Sequence, residues 1–560
     1  MALILGIDTG GTFTDAVVFS SDTEKIIRKS KAFTTKADLS EGIANAIDYL
    51  DFDEWDKVSK VHLSTTLATN SILEKKIANV GLILCGNDIR GNADIMCSKK
   101  ILLRDVSAES MMDLTILDSI RNEFSSSIDA VVISSANGGN TEEMHIAEML
   151  RRILGVPVYC ATTFSESHNY YVRTVTGVLN TGLIPIISDW ISCIKKVLDR
   201  KGIAAEMFIM RGDGKMTNAA WAQSYPITTI MSGPAASASG ALFLTDLEDF
   251  LLLDMGGTSA DVTKIENRML RRKKSVTLIN DLPVSTSSLD IQSFPIGGDS
   301  RIHYDQVGNL TAGPEKVVPL CLASSKWANL NKELSQYRKP ENYELFSACE
   351  TDCYFAGRHN ITASLNDFER KIIKCLSAEA HSLFFLSEQF DVDPDALHLD
   401  SLVKNGYAQC ISFTPTDLLH VTGKYVMWDR EISSTAADIM AAMGKCETGD
   451  FLQKCEEVVN DHLIFSSMQS IANFEKNKFD FRESNATRYL INSFLHHGNP
   501  YMNVDFRITK PIVAIGAPAG SWMPAVAEKL QTKLVIPPDY EVASAVGVAV
   551  ADYASERRGI

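Results

Sequence analysis

The sequence predicts an α/β protein made of two duplicated lobes with mixed sheets, the second lobe carrying a largely helical insertion. Three observations carry that expectation. The first is an internal repeat. Leu3-Ile4-Leu5-Gly6-Ile7-Asp8-Thr9-Gly10-Gly11-Thr12-Phe13-Thr14-Asp15 returns as Leu251-Leu252-Leu253-Asp254-Met255-Gly256-Gly257-Thr258-Ser259-Ala260-Asp261. At a constant offset of 246 residues, Asp8 falls on Asp254, Gly10 and Gly11 on Gly256 and Gly257, Thr12 on Thr258, and Asp15 on Asp261. The second is context: in each copy the first Asp ends an apolar strand, Gly-Gly-Thr makes a tight turn, and two further β-rich runs follow. The third is a switch of period. Helix and strand patterns alternate after the first hairpin set, whereas residues 315–500 are dominated by helical spacing.

In sequence order, residues 16–19 and 25–33 read as the second and third strands of the first copy, and 262–265 and 269–276 as those of the second. Residues 39–50 have helical spacing after a polar lead-in, 58–64 and 80–85 read as strands, and 68–76 as the helix between them. Short apolar strands at 130–134 and 156–160 flank an amphipathic helix at 142–154. Antiparallel strands followed by βαβ units give a mixed sheet with helices on both faces. Residues 174–198 form a long helical connection interrupted by Pro185, and 207–210 and 228–231 are strands before the second repeat. Within the insertion, 365–390, 434–443 and 449–465 are expected helices; strand character returns at 511–515, and a small-residue helix at 542–553 closes the sequence. The lobes are drawn at 1–185 and 186–560, with the insertion at about 315–500.

A formal charge of −16 over 560 residues argues against a protein that coats nucleic acid, which needs clustered cations. A single nucleotide is another matter, because a few backbone N–H groups and a metal can hold it. The eleven cysteines show no CxxC pair; Cys349 and Cys353, four apart, are the nearest approach to one, and free thiols in a reducing compartment are expected. No cationic leader opens the sequence and no apolar run approaches a membrane span, so the expected location is cytoplasmic. The sequons at Asn309, Asn360 and Asn485 carry no weight without a leader.

The two Asp-x-Gly-Gly-Thr turns are the strongest chemical signal. Missing Cβ atoms let a phosphate approach backbone N–H groups closely, and Thr12 and Thr258 each add a hydroxyl donor. A carboxylate beside polyphosphate is repelled, so Asp8 and Asp254 make sense with a divalent cation between, or as a base for water. A Gly-Gly hairpin can also stand without any ligand; it is the duplication that favours function. No GxxxxGK[ST], no G-x-G-x-x-G opening a helix, no G-x-S-x-G and no H-E-x-x-H occurs. A third cluster, Gly516 to Gly520, follows a strand and precedes a helix, where adenine or ribose could lie on bare backbone. His62 and His420 are candidates for a substrate-side role, each against an ordinary structural one. Arg211-Gly212-Asp213 reads as a turn, Arg271 to Lys274 as a solvated outer strand, and His496-His497 as a polar loop without carboxylates at metal spacing.

Leu5-Gly6-Ile7-Asp8-Thr9-Gly10-Gly11-Thr12-Phe13-Thr14-Asp15 resembles the opening signature of the hydantoinase/oxoprolinase family, A-subunit type, within the actin, Hsp70 and sugar-kinase superfamily of two-lobed ATPases. His62 to Asn70 is similar to that family's HGTTVATN segment, and Arg173-Thr174 with Leu179-Asn180 to its RT-x4-LN helix. Ser232 to Ala236 resembles SGPAGG, Asp254 to Asp261 resembles DMGGTSxDV, and Phe413 to Val421 resembles FTPSDALHV. The resemblance implies ribonuclease-H-like (actin-like ATPase) lobes that hold ATP with Mg²⁺ between them. The turns at Asp8 to Thr12 and Asp254 to Thr258 would be the phosphate loops, and Gly516 and Gly520 would lie at the adenosine. Asp8 or Asp254 would hold the metal while the other polarises the attacking oxygen, and the 542–553 helix would be one of those crossing at the hinge. The implied chemistry is ATP-dependent activation of a cyclic amide (5-oxoproline- or hydantoin-like) or a related carbonyl, then ring opening or carboxylation. A separate B subunit of the same family is an implied partner; nucleic acid and membrane are not.

The departures bear on substrate more than on ATP. The family stretch DVHTIGAGGGS stands here as Asp290 to Ser300, with Gln292 in place of histidine and Asp299 in place of a glycine. Asp290 with Gln292 could still bind metal or substrate, but an imidazole is lost. The GPESAGAxPGPxCYG element survives only as Gly313-Pro314-Glu315. A nucleotide-driven switch acting on a partner protein and a small-molecule kinase are the competing readings.

Overall fold

In the computed structural model the repeated motif begins on β1 (Leu3–Thr9), every residue of which is buried, as a central strand covered on both faces requires. The structure describes residues 3–35, 39–86, 95–103, 114–124, 128–136, 140–273, 276–338, 349–357, 365–475, 479–496 and 500–551. The sequon at Asn360, Lys274, His497 and residues 552–553 of the expected last helix lie outside them.

The protein divides into two compact units, residues 1–249, 264–291 and 537–560 in one and 250–263 and 292–536 in the other. The boundary expected at 185 falls inside a continuous 31-residue helix, so the fold does not part there.

In the first unit β1 pairs antiparallel with β2 (Phe13–Ser20), which pairs with β3 (Lys25–Phe33). On its other side β1 runs parallel to β4 (Val58–Thr65). A separate sheet of four parallel strands follows: β5 (Val80–Cys85), β6 (Lys99–Leu103), β7 (Ala130–Ser135) and β8 (Val158–Cys160), in the order β6-β5-β7-β8. The first sheet is completed by β9 (Glu206–Met210), parallel to β4, and β10 (Met216–Asn218), giving β10-β9-β4-β1-β2-β3. Helices α1 (Leu39–Asp48) and α2 (Leu67–Leu73) fall where expected. So do α3 (Asn140–Leu154) and α4 (Tyr170–Arg200), the latter continuous through Pro185. The sequence shows no run apolar enough for a membrane span by inspection, yet α4 reaches that length and composition; 61% of its most apolar stretch is buried in the fold, as a core helix.

Helix α5 (Ser232–Leu244) follows a correction. Residues 228–231 were expected as a strand, but Pro226–Thr229 is a 3₁₀ turn, with Pro226 opening it and the Thr229 hydroxyl bonded back to the Pro226 carbonyl at 2.8 Å. The short terminal helix of this unit (Ala543–Ala549) packs on α5 through glycines: a Cβ on Gly547 would stand 1.8 Å from the Ala236 carbonyl, and one on Gly240 1.9 Å from that of Ala543. The Ser237 and Ser544 hydroxyls bond across the contact at 2.9 Å. Near-bare backbones meeting explain the run of Gly, Ala and Ser in both segments.

The second repeat gives β11 (Phe250–Met255) and β12 (Ala260–Glu266), with β13 reduced to Met269–Leu270. Its expected extension to residue 276 is broken after Leu270, and Arg272–Lys273 pairs elsewhere, with Ser288–Leu289. Strand β11 runs parallel to Ile512–Ile515, which runs parallel to Leu534–Val535. The sheet order β13-β12-β11-(512–515)-(534–535) therefore repeats the order β3-β2-β1-β4-β9 of the first sheet.

The insertion is helical but not purely so, since Val318–Pro319, Ala408–Ser412, Cys353–Ala356 and His381–Ser382 make a small mixed sheet. That last pair also splits the helix expected at 365–390 into Asp367–Ala378 and Leu383–Phe390, with Ser382 capping the second. Helices α6 (Thr448–Phe474) and α7 (Asn485–His496) follow, and α8 (Ala519–Lys529) succeeds the returning strand.

Candidate functional site

The two Gly-Gly-Thr turns close in the same way. Gly10 N–H donates to Phe13 O at 2.9 Å, and Gly256 N–H donates to Ser259 O at 2.9 Å, the repeat-equivalent pair. One glycine N–H per turn is thus consumed internally. In the first unit the Gly10 carbonyl accepts from the Thr34 hydroxyl at 2.9 Å, and the Thr12 carbonyl from Thr34 N–H at 3.0 Å. A trans peptide sets N–H opposite C=O, so these ties turn the N–H groups of Gly11 and Phe13 away from Thr34. Asp8 lies at the end of β1, 8% exposed, opposite Asp15 on β2 and Ser64 on β4, and its Oδ1 accepts the Ser64 hydroxyl at 2.5 Å. Asp15 is ion-paired with Lys31 at 2.5 Å, against the pull of burial, which raises its pKa.

In the second unit a second backbone clamps the turn. Gly298 N–H donates to the Gly256 carbonyl at 3.1 Å and Asp299 N–H to the Gly257 carbonyl at 2.7 Å. The N–H groups of Gly257 and Thr258 consequently point the other way. The approach is so close that a Cβ on Gly297 would stand 2.4 Å from the Gly257 carbonyl oxygen. Parallel pairing of Asp254 with Ile515 brings the third glycine cluster to the same place: Gly516 has φ +92°, and a Cβ there would meet Met255 O at 2.3 Å and Asp254 Oδ1 at 2.9 Å. Gly520 lies on the first turn of α8 and is exposed.

The duplicated carboxylates have diverged. Asp15 faces a lysine; its counterpart Asp261 does not, and burial together with the neighbouring Asp254 charge pushes the Asp261 carboxyl up to about 7. Its Oδ1 is buried without a hydrogen-bond partner.

Other candidates go elsewhere. His62 is 0% exposed, its Nδ1 3.0 Å from the Val548 carbonyl and its ring edge-on to Phe208, which is the environment of a structural histidine. His420 is equally buried. Its Nε2 accepts from the N–H groups of Met427 and Trp428, each at 3.0 Å, which leaves Nδ1–H to donate to the Thr416 carbonyl at 2.8 Å. Asp290 faces the Lys273 ammonium at 3.2 Å, so a cation already stands where a metal was expected. Arg271 and Arg272 are exposed, as a solvated strand requires, Lys273 is half-buried, and Arg272 Nε donates to Asp213 O at 3.3 Å. Gln292 accepts from Asn473 Nδ2 at 3.3 Å, tying the residue that replaces histidine to α6. Sequence reading missed Thr34 and Lys31, which carry no motif, the bond of Ser64 within the His62 to Asn70 segment, and the clamping role of Gly297 to Asp299 within the Asp290 to Ser300 stretch.

Two sheets of one strand order, each with an Asp-x-Gly-Gly-Thr turn after its first strand, define the actin-like ATPase type of fold. Family models narrow this. The hydantoinase/oxoprolinase N-terminal region matches residues 4–111 and the hydantoinase/oxoprolinase model residues 173–321. Over these two stretches the chain is similar to the hydantoinase/oxoprolinase family. It is 24% identical over 351 residues to caprolactamase subunit alpha of Pseudomonas jessenii, covering 55% of its own length, with 50% of that relative. With 5-oxoprolinase 1 of Arabidopsis thaliana it shares 23% identity over 372 residues, covering 56% and 29% respectively. The match thus spans half or less of the length of these relatives. The nucleotide-free structure of acetone carboxylase superposes with TM-score 0.63 at 15% identity, over 98% of this protein and 70% of that one.

Proposed function

We propose that this protein is an ATP-dependent enzyme that activates a cyclic amide, or a related carbonyl compound, by phosphorylating its oxygen before ring opening. The observation that supports the reading best is the pair of repeat-equivalent turns, each closed by the same hydrogen bond and each with an Asp ending the preceding strand. The names of the relatives, caprolactamase and 5-oxoprolinase, supply the substrate class.

An amide is a poor electrophile because nitrogen feeds its carbonyl. In the proposed step the carbonyl oxygen attacks the terminal phosphorus of ATP, a P–O bond forms and ADP leaves. Water then adds to the activated carbon, the ring C–N bond breaks with the amine as leaving group, and a second water hydrolyses the resulting acyl phosphate to carboxylate and phosphate. In the second unit the N–H groups of Gly257 and Thr258 would hold phosphate oxygens, as that of Gly11 would in the first. Magnesium takes one or two carboxylates and completes its shell with phosphates and water. Asp254 with the unpartnered oxygen of Asp261 fits that requirement, Asp8 supplies one carboxylate already bonded to Ser64, and Asp290 opposite Lys273 does not fit. When bound, the ion supplies charge neutralisation on the phosphates. A separate partner subunit is part of the proposal, since a relative is a subunit alpha.

ADP release with Mg²⁺ and ATP tests this, alone and with 5-oxoproline, hydantoins and caprolactam, against an Asp254→Ala control. Turnover stimulated by one cyclic amide and lost in the control supports the proposal. Basal turnover that no amide stimulates, but a protein does, supports the switch reading instead. Absence of ATP binding overturns both.

A further inference from the structure

Helices α6 and α7, with Phe481 and Arg482 ahead of α7, line an open cavity of about 440 Å³ at the surface of the second unit, a size suited to a small molecule. One face of α7, positions 488, 491, 492 and 495, lines one wall at helical spacing; Asp461, His462 and Phe465 of α6 line another. Ile491 and Phe465 are buried and give the cavity an apolar floor.

The charges around this floor are unbalanced. Arg482 and Arg488, both exposed, line the cavity rim, and among the described residues neither guanidinium has a carboxylate within ion-pair distance. Arg482 lies over the Phe465 ring with Cζ 3.9 Å from its centroid, a stacking that holds the guanidinium plane and leaves its N–H edge free to meet a planar acceptor. The one acid among the described lining residues, Asp461, is engaged by His496 at 3.6 Å. His462 is held toward its neutral form by burial and by the nearby charges of Arg482 and Lys316. Lys316 in turn bonds the Ser300 hydroxyl at 2.7 Å, and Ser300 Oγ accepts Gly297 N–H.

We infer that this cavity binds a small organic carboxylate, independently of the reading under Proposed function. Two guanidiniums over an apolar floor match a planar monoanion attached to a carbon ring. Asp461 weighs against a dianion such as inorganic phosphate.

Matched probes separate the alternatives. 5-Oxoproline and 2-pyrrolidinone share ring and amide and differ only in the carboxylate, and hydantoin-5-acetate and hydantoin form a second pair. Binding to the full-length protein is read by ligand-observed NMR and calorimetry, with ATP binding measured separately on the same samples. The expected result is a preference of about tenfold or more for the carboxylate member of at least one pair, falling below about twofold in an Arg482→Gln/Arg488→Gln double variant that keeps its melting temperature and ATP affinity. Arg488→Lys should retain part of the preference. Equal binding within both pairs, no binding of either carboxylate, or a preference that survives the double variant overturns the inference. Carboxylate binding without ATP binding would support the cavity while removing the ATP reading.

Discussion

Replacing Gly297 by alanine tests whether the second turn is held in shape by the backbone behind it. The new Cβ would stand 2.4 Å from Gly257 O, 2.7 Å from Gly257 C and 2.9 Å from Gly256 O. An ordinary carbon–oxygen contact is about 3.2–3.5 Å, so one of the two backbones must retreat by roughly 1 Å. That movement strains or breaks the bonds from Gly298 N–H and Asp299 N–H to the turn carbonyls, at 3.1 and 2.7 Å. Two backbone hydrogen bonds at about 1 kcal/mol each, with about 1–3 kcal/mol of overpacking, put the cost near 3 kcal/mol. Much of it falls on the orientation of Gly257 and Thr258. If those N–H groups hold phosphate, displacement on the 1 Å scale should weaken ATP binding by about 30-fold or more. Calorimetric titration with ATP and Mg²⁺, beside a denaturation curve, reads both quantities. Gly449→Ala is the control, because a Cβ there meets nothing within 4 Å, and it should change neither by more than a small fraction. A Gly297→Ala variant that is destabilised but binds ATP like the wild type would refute the link between clamp and nucleotide. One that is unchanged in both would refute the packing argument itself.

Two further outcomes are expected. Asp261→Asn should be more stable than wild type by up to about 3 kcal/mol near pH 8, after discounting for partial exposure. The folded carboxyl is raised to about 7 from 3.8, so wild-type stability falls as pH rises through that interval and the advantage should vanish near pH 4; urea titrations at several pH values in EDTA check this, and an advantage that grows on acidification would contradict it. Gly547→Ala should cost about 3 kcal/mol, because its Cβ would stand 1.8 Å from Ala236 O, whereas Ser544→Ala, which removes only the 2.9 Å bond to Ser237, should cost about 1 kcal/mol in the same denaturation assay.

The sequence by itself determined the duplication and the two glycine turns. These are local features: an apolar run, a turn and a β-rich return are written in consecutive residues, so the period-2 pattern and the missing side chains of Gly10, Gly11, Gly256 and Gly257 were readable without any partner. Tertiary structure decided what each polar group faces. His62 and Ser64 stand two residues apart on β4, yet His62 is buried against Val548 while Ser64 bonds Asp8. Asp15 and Asp261 are the same letter in the same motif, but Lys31, sixteen residues beyond Asp15, compensates only the first. Gly297 and Gly516 reach the second turn from 40 and 259 residues beyond Gly257. The physical reason is range: backbone conformation responds to its neighbours in sequence, whereas burial, charge pairing and backbone-to-backbone clamping depend on which distant segments the sheets bring into register.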